Sequence, residues 1–424
     1  MSTLPGAPFL AWRGNELTLE GHPLDALARE HGTPLYVYSR GAMRAALASY
    51  TRALDGRDHL VCYAMKANST LAVLQTFAQA GCGFDIVSVG DLERVLAAGG
   101  DASRVVFSGV GKRRDEMRRG LEVGVKCFNV ESVAELHALS GEAQAMRRTA
   151  PVSLRINPDV DARTHPYIST GLKGNKFGIA HDDAVAAYRL AATLPGLEVV
   201  GIDCHIGSQI TELGPHLDAL DRLLDLVDSL EAEGLTIRHL DVGGGLGITY
   251  TDEAPPDAGA LVRQLCARID ARGHGARQLL FEPGRSLVGN AGVLLTEVLV
   301  LKPGSVKNYC IVDAAMNDLL RPTLYDATMG IVPCTLRDGA PVLYDVVGPV
   351  CESGDWLGRD RSLAVLPGDR LAILSAGAYA FAMASNYNSR PRAAEVMVDG
   401  GRAVVIRARE TVSELFANER LLDR

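Results

Sequence analysis

Eight short apolar runs between residues 60 and 282 constrain the fold of this chain more than any other feature. They read Leu60-Val-Cys-Tyr63, Phe84-Asp-Ile-Val-Ser88, Arg104-Val-Val-Phe-Ser108, Lys126-Cys-Phe-Asn-Val130, Val152-Ser-Leu-Arg-Ile-Asn157, Val199-Val-Gly-Ile-Asp-Cys-His205, Ile237-Arg-His-Leu-Asp-Val242 and Gln278-Leu-Leu-Phe-Glu282. Amphipathic stretches separate them, among them Leu71 to Ala80, Asp91 to Ala98, Glu131 to Leu139 and Pro215 to Glu233. The last sets Leu217, Leu220, Leu224 and Val227 at helical spacing. Strands that alternate with helices over a stretch close to the usual ~250 residues fit an α/β fold, a (β/α)8 barrel of TIM type. An open doubly wound sheet is the alternative, because a strand count does not show closure.

Beyond about residue 290 the helical periodicity fades. Short runs take over at Val293 to Leu301, Tyr309 to Val312, Val342 to Val347, Arg370 to Leu374 and Ala394 to Val398. Turn dipeptides divide them, at Pro303-Gly304, Asp338-Gly339, Pro367-Gly-Asp369 and Asp399-Gly400. The pattern predicts an antiparallel β domain, a barrel or sandwich. The first 37 residues carry two further strand-like runs, Glu16-Leu-Thr-Leu19 and Leu35-Tyr-Val-Tyr38. The expected organisation is therefore a barrel over 38–288, with 1–37 and 289–424 forming a β domain from both chain ends.

Composition narrows the function classes. A chain of 424 residues with 47% hydrophobic and 22% charged residues suits two soluble domains. A net charge of −8 argues against a nucleic-acid partner, which needs a clustered basic surface. Met1 to Leu10 has no signal-peptide pattern, and the apolar stretch Ala291 to Leu301 is short and carries Glu297, so no membrane association is expected. Eight cysteines without a C-x-x-C pair read as reduced thiols of a cytoplasmic protein, and no metal site is expected.

Reactive residues collect just after the strand ends, where barrels place their sites. Lys66 stands in Tyr63-Ala-Met-Lys66-Ala-Asn68 after the first strand. A lysine stripped of water there becomes an amine able to form a Schiff base; its ordinary alternative is a surface lysine paired with a carboxylate. Asp241-Val-Gly243-Gly244-Gly245 follows the seventh strand and Glu282-Pro-Gly284-Arg285 the eighth. Glycine backbone and an arginine at these two loops suit a phosphate. Glu282 beside a phosphate makes sense if a protonated ring nitrogen lies between them. His205-Ile-Gly-Ser208 follows the sixth strand, with a ring for stacking on a flat cofactor and a hydroxyl for phosphate. Asp85, Ser88, Asn129, Arg155 and Asn157 are further candidates for the cofactor's surroundings or for a polar network at the barrel mouth.

Together these motifs resemble the alanine-racemase-like, fold type III pyridoxal-phosphate decarboxylases. The segment Arg155-Ile-Asn-Pro-Asp-Val-Asp-Ala-Arg-Thr-His165, its continuation Gly171-Leu-Lys-Gly-Asn-Lys-Phe-Gly178, and Val350-Cys-Glu-Ser-Gly-Asp355 narrow the resemblance to the diaminopimelate decarboxylases. It covers nearly the whole chain, in order. The resemblance implies a homodimer with two shared active sites and pyridoxal 5'-phosphate as cofactor. It implies that Lys66 holds the cofactor covalently, with Asp85 nearby and His205 against the ring. Ser208, Gly244, Gly245, Gly284 and Arg285 would surround the phosphate, and Glu282 would pair with the ring nitrogen. Arg285, Arg321 and Tyr325 become substrate-carboxylate contacts, and Tyr379 touches both phosphate and substrate. Cys351, as proton donor, and Glu352, as a contact to the distal ammonium, would enter from the partner subunit. One departure stands at Asp91, where the family commonly has Glu.

The implied reaction is loss of CO2 from meso-2,6-diaminopimelate to give L-lysine, the last step of lysine biosynthesis. A thiol is mostly protonated at neutral pH and can donate, although the usual fate of a cysteine is plain burial. Ornithine, arginine or carboxynorspermidine are the alternative substrates under the same chemistry. A non-catalytic relative of the fold is disfavoured by the intact Lys66, Glu282 and Cys351.

Overall fold

The computed structural model describes residues 4–162, 164–172 and 174–423. Arg163 and Lys173 of the motifs above, and Met1 to Thr3 of the N-terminal segment, lie outside them. The chain divides into two compact units: Arg44–Ile248 with Ala254–Leu287, and Met1–Met43 with Thr249–Glu253 and Val288–Arg424.

The first unit is a closed barrel. Its strands are His59–Ala64, Gly83–Ile86, Val105–Phe107, Cys127–Val130, Ala150–Asn157, Leu197–Asp203, His239–Asp241 and Gln278–Phe281, called strands one to eight below. Each pairs in parallel with the next, and strand eight returns to strand one with Leu280 opposite Leu60. Closure rules out the open sheet. The apolar runs arise because each strand is covered by helices outside and by Leu60, Cys62, Val106, Cys127, Val200 and Leu280 within the lumen. Glycine has a specific place here: a Cβ on Gly201 would lie 2.0 Å from Nε2 of His239 on the neighbouring strand, so only glycine admits that ring. Three of its helices start on side-chain caps, Ser88 to Asp91, Ser132 to Glu135 and Asp257 to Ala260.

The second unit is built on one large sheet, in the order Trp356–Leu363, Val342–Val347, Tyr309–Val312, Gly292–Lys302, Leu35–Ser39, Ala394–Asp399 and Arg402–Arg407. Ile331–Pro333 and Arg370–Ile373 join it beside Gly292–Lys302, and Leu10–Arg13, Glu16–Leu19 and His22–Pro23 form a small sheet of their own. Most pairings are antiparallel; Leu35–Ser39 with Ala394–Asp399 and Tyr309–Val312 with Val342–Val347 run parallel, since a long stretch of chain separates the members of each pair. The core joins both chain ends, Leu10, Leu17, Leu19, Leu35 and Val37 packing with Val293, Leu295, Ala372 and Val396. The short segment Thr249–Glu253 is tied to this unit: Ser375 Oγ donates to the Thr249 carbonyl, and the Arg321 guanidinium lies 5.2 Å from the Tyr250 ring centre.

Candidate active site

In the barrel unit the side chains at the C-terminal strand ends converge. Lys66 sits on the short turn Met65–Ala67 that closes strand one, and its Nζ donates to Asp85 Oδ2 at 2.8 Å, from the end of strand two. The Lys66 side chain is 41% exposed while that of Asp85 is fully buried. Asp85 is thus the carboxylate that the ordinary alternative for Lys66 calls for. Its second oxygen, Oδ1, is buried and meets no partner.

Loops after strands six, seven and eight pack backbone against backbone. A Cβ would lie 2.3 Å from the Cys204 carbonyl oxygen at Gly243, 2.1 Å from that of Glu282 at Gly244 and 2.6 Å from that of Gly207 at Gly245, so side chains would force the three loops apart. The Gly244 N–H donates to Nδ1 of His205 at 3.3 Å. Loss of solvent, followed by Arg155 and Lys66, holds His205 well below the usual imidazole range; it is neutral, with Nδ1 as acceptor and the proton on Nε2. The N–H groups of Gly245 and Gly284 donate to no acceptor among the described residues. Between these loops the Arg285 guanidinium donates to Ser208 Oγ at 2.9 Å. Two unsatisfied amide donors, a hydroxyl and a guanidinium at adjoining loops form an anion cradle of the kind barrels build for phosphate.

Glu282, one residue past strand eight, is buried and accepts from Asn129 Nδ2 at 3.4 Å. Burial first, then the negative charges of Asp241, Asp85 and Asp203, push its carboxyl well above the ordinary range. A carboxyl with such a high proton affinity suits a protonated ring nitrogen. The donor set therefore fits pyridoxal phosphate: an amine, a phosphate cradle and a ring-nitrogen partner around one barrel mouth.

The second unit carries the other candidates. Arg321 and Tyr325 share the short helix Arg321–Tyr325, where the buried guanidinium lies 5.4 Å from the Tyr325 ring centre. Thr323 of that helix donates to the Gly354 carbonyl at 2.7 Å, which ties the helix to the turn bearing Cys351 and Glu352. Cys351 is the one exposed cysteine of the eight. Plain burial, the ordinary fate of a thiol, does not apply to it. Glu352 accepts from the Tyr387 hydroxyl at 3.0 Å. Tyr379 holds a left-handed φ of 53° just after Gly377, where a Cβ would lie 1.8 Å from the Val288 carbonyl oxygen.

The family described as pyridoxal-dependent decarboxylase, pyridoxal binding domain, matches residues 40–289. A diaminopimelate decarboxylase of Pseudomonas aeruginosa is 60% identical over 97% of this chain and 99% of its own. The chain belongs to the diaminopimelate decarboxylase family. A crystal structure of diaminopimelate decarboxylase from Helicobacter pylori complexed with L-lysine superposes with a TM-score of 0.89 at 41% identity, covering 93% of this chain and 98% of that one. Another from M. jannaschii, in co-complex with L-lysine, gives 0.94 at 36% identity over 98% and 99%.

Against the diaminopimelate decarboxylase pattern, the departure at Asp91 has a local explanation. Its Oδ2 accepts from the Val87 N–H at 3.0 Å and its own N–H donates to Ser88 Oγ, so the shorter acid still ties down the first turn of the helix Val89–Ala97. The sequence reading gave no role to Asp203 and Asp241, whose oxygens lie with one of Glu282 inside 4.8 Å. The available signal was a carboxylate ending each of two buried apolar strands, a place that an unpaired charge avoids.

Proposed function

We propose that this chain decarboxylates meso-2,6-diaminopimelate to L-lysine and CO2, with pyridoxal 5'-phosphate held in the barrel mouth. The observation that carries the reading is the convergence of Lys66, the Gly244–Gly245 and Gly284 backbone and Glu282 around one opening. Lys66 would hold the cofactor through Nζ, and Ser208, Gly244, Gly245, Gly284, Arg285 and Tyr379 would hold its phosphate. His205 would lie against the ring, and Glu282 would face the ring nitrogen. When bound, the cofactor supplies an electron sink for the pair released as CO2 leaves.

The chain's own residues do the rest. Glu282 keeps a proton at the ring nitrogen, because its anionic neighbours favour a nearby positive charge. Neutral His205 adds no positive charge that would compete. Arg285, Arg321 and Tyr325 orient the substrate carboxylates, and buried guanidinium groups left unmatched by a shorter substrate discriminate against it. Cys351 of the partner subunit delivers a proton to the former α-carbon, and the partner subunit's Glu352 reads the distal ammonium. The exposure of both residues on one turn supports a homodimer with shared sites. Eight unpaired cysteines support a reducing, cytoplasmic setting; among the described residues no helix is long and apolar enough to cross a membrane.

The test is CO2 release from meso-diaminopimelate, L-lysine, L-ornithine, L-arginine and carboxynorspermidine by purified protein loaded with pyridoxal phosphate. Release from the first alone is expected. Comparable rates on ornithine or arginine would remove the substrate assignment.

A further inference from the structure

Strands six, seven and eight bring three carboxyl groups together at their ends. One oxygen each of Asp203, Asp241 and Glu282 lies within 4.8 Å of the others, and all three residues are buried. Few donors reach them. The Gly243 N–H donates to Asp241 Oδ1 at 2.9 Å, and Asn129 Nδ2 to Glu282 Oε1 at 3.4 Å. Asp203 Oδ1 and Asp241 Oδ2 are buried with no partner, and beyond the cluster so is Asp85 Oδ1.

The nearby cations are committed elsewhere. Lys66 pairs with Asp85 at 2.8 Å and Arg155 with Glu131 at 3.3 Å. Among the described residues no Lys or Arg forms an ion pair with Asp203, Asp241 or Glu282. The remaining titratable neighbours, the thiols of Cys62, Cys127 and Cys204, are themselves pushed up by burial and by these carboxyls, and His205 is neutral. Three charges of one sign, this close and this dry, do not all ionise; a proton stays among them, as in paired catalytic carboxylates.

We propose that Asp203 and Asp241 are positioning residues that act through Glu282: a proton stays among the three carboxyls, and when Glu282 carries its charge toward a protonated ring nitrogen that proton lies on the two aspartates, its O–H from Asp241 fixing the Glu282 carboxylate in place. The proton remains within the cluster and nothing is oxidised or reduced. Burial raises all three groups, Asp241 to about 7 and the other two well above their usual range, with mutual repulsion adding to Asp203 and Glu282. The proposal rests on the reading that Glu282 faces the ring nitrogen, but the proton count does not depend on the cofactor.

Infrared difference spectroscopy on cofactor-free and loaded protein near neutral pH counts protonated carboxyls. In the loaded protein the protonated-carboxyl band of the wild type is expected to shrink in Asp241→Asn and to shrink further when Asp203→Asn is added, leaving the contribution of other buried carboxyls such as Asp318. Loaded with pyridoxal phosphate, Asp241→Asn keeps a donor toward Glu282 and is expected to bind the cofactor within about threefold of wild type. Asp241→Ala loses that donor, weakens binding about tenfold or more and leaves the substrate KM unchanged. A protonated-carboxyl band that neither substitution changes, a stoichiometric bound metal by elemental analysis, or equal cofactor affinity of the Ala and Asn variants would each overturn the proposal. Absent cofactor binding with the band intact would instead strike the functional reading.

Discussion

At the scale of single residues, Lys66 and Asp85 define what the barrel mouth is poised to do. An amine that projects past the strand end, 41% exposed and held by a buried carboxylate at 2.8 Å, is accessible to an aldehyde and fixed in direction. Lys66→Ala should lower the rate of CO2 release at least about a thousandfold. Borohydride treatment of the loaded protein should fix the cofactor to the wild type, at Lys66 by peptide mass, and not to the variant. Residual activity within tenfold of wild type would contradict the assignment. Lys66, the glycines and Glu282 stood out in the sequence because each lies at the end of an apolar run or within four residues past it. Asp203 and Asp241 were not, since they lie 38 residues apart (241 − 203) and only closure of the barrel brings them together.

Among elements, the pairing of strands six and seven makes a specific demand on pH. His239 is buried against Gly201, and loss of solvent, then Lys126 and Arg238, lower its pKa to about 3. A histidine with a lowered folded pKa gains its proton in the unfolded chain first. Its contribution to stability is therefore complete above about pH 6.5 and is lost at roughly 1.4 kcal/mol per pH unit as pH falls toward about 3. The unfolding free energy of wild type minus that of His239→Asn should accordingly shrink by roughly 2 kcal/mol between about pH 6.5 and about pH 5. A difference that is flat with pH would show that the ring is solvated. The barrel strands were readable because parallel strands buried on both faces are mostly apolar, with polar residues gathered toward their ends. Trp356–Leu363 escaped notice because its Arg359, Asp360 and Arg361 break the run, and Arg402–Arg407 because it lies exposed at the edge of its sheet.

For the whole molecule, the placement of Lys66 in one unit and Cys351 on an exposed turn of the other gives the shared-site reading a direct test. Lys66→Ala and Cys351→Ser proteins, each inactive alone, should regain about a quarter of wild-type activity after mixing and reassociation, since half the dimers would be mixed and each would hold one intact site. No recovery would place Cys351 in the same subunit's chemistry or outside it. The two-unit organisation was visible as a change of texture near residue 290, whereas Thr249–Glu253 gave no sign, being too short to show a pattern of its own. The central place of Leu35–Ser39, between Gly292–Lys302 and Ala394–Asp399, also sets a schedule for biosynthesis. Its partner Val396 follows Val37 by 359 residues (396 − 37), so a ribosome adding about 5–20 residues per second reaches it only some 20–70 s later. Until then a segment that is wholly buried in the finished sheet lacks one of its two neighbours, and messages truncated before residue 394 should yield chains that chaperones retain.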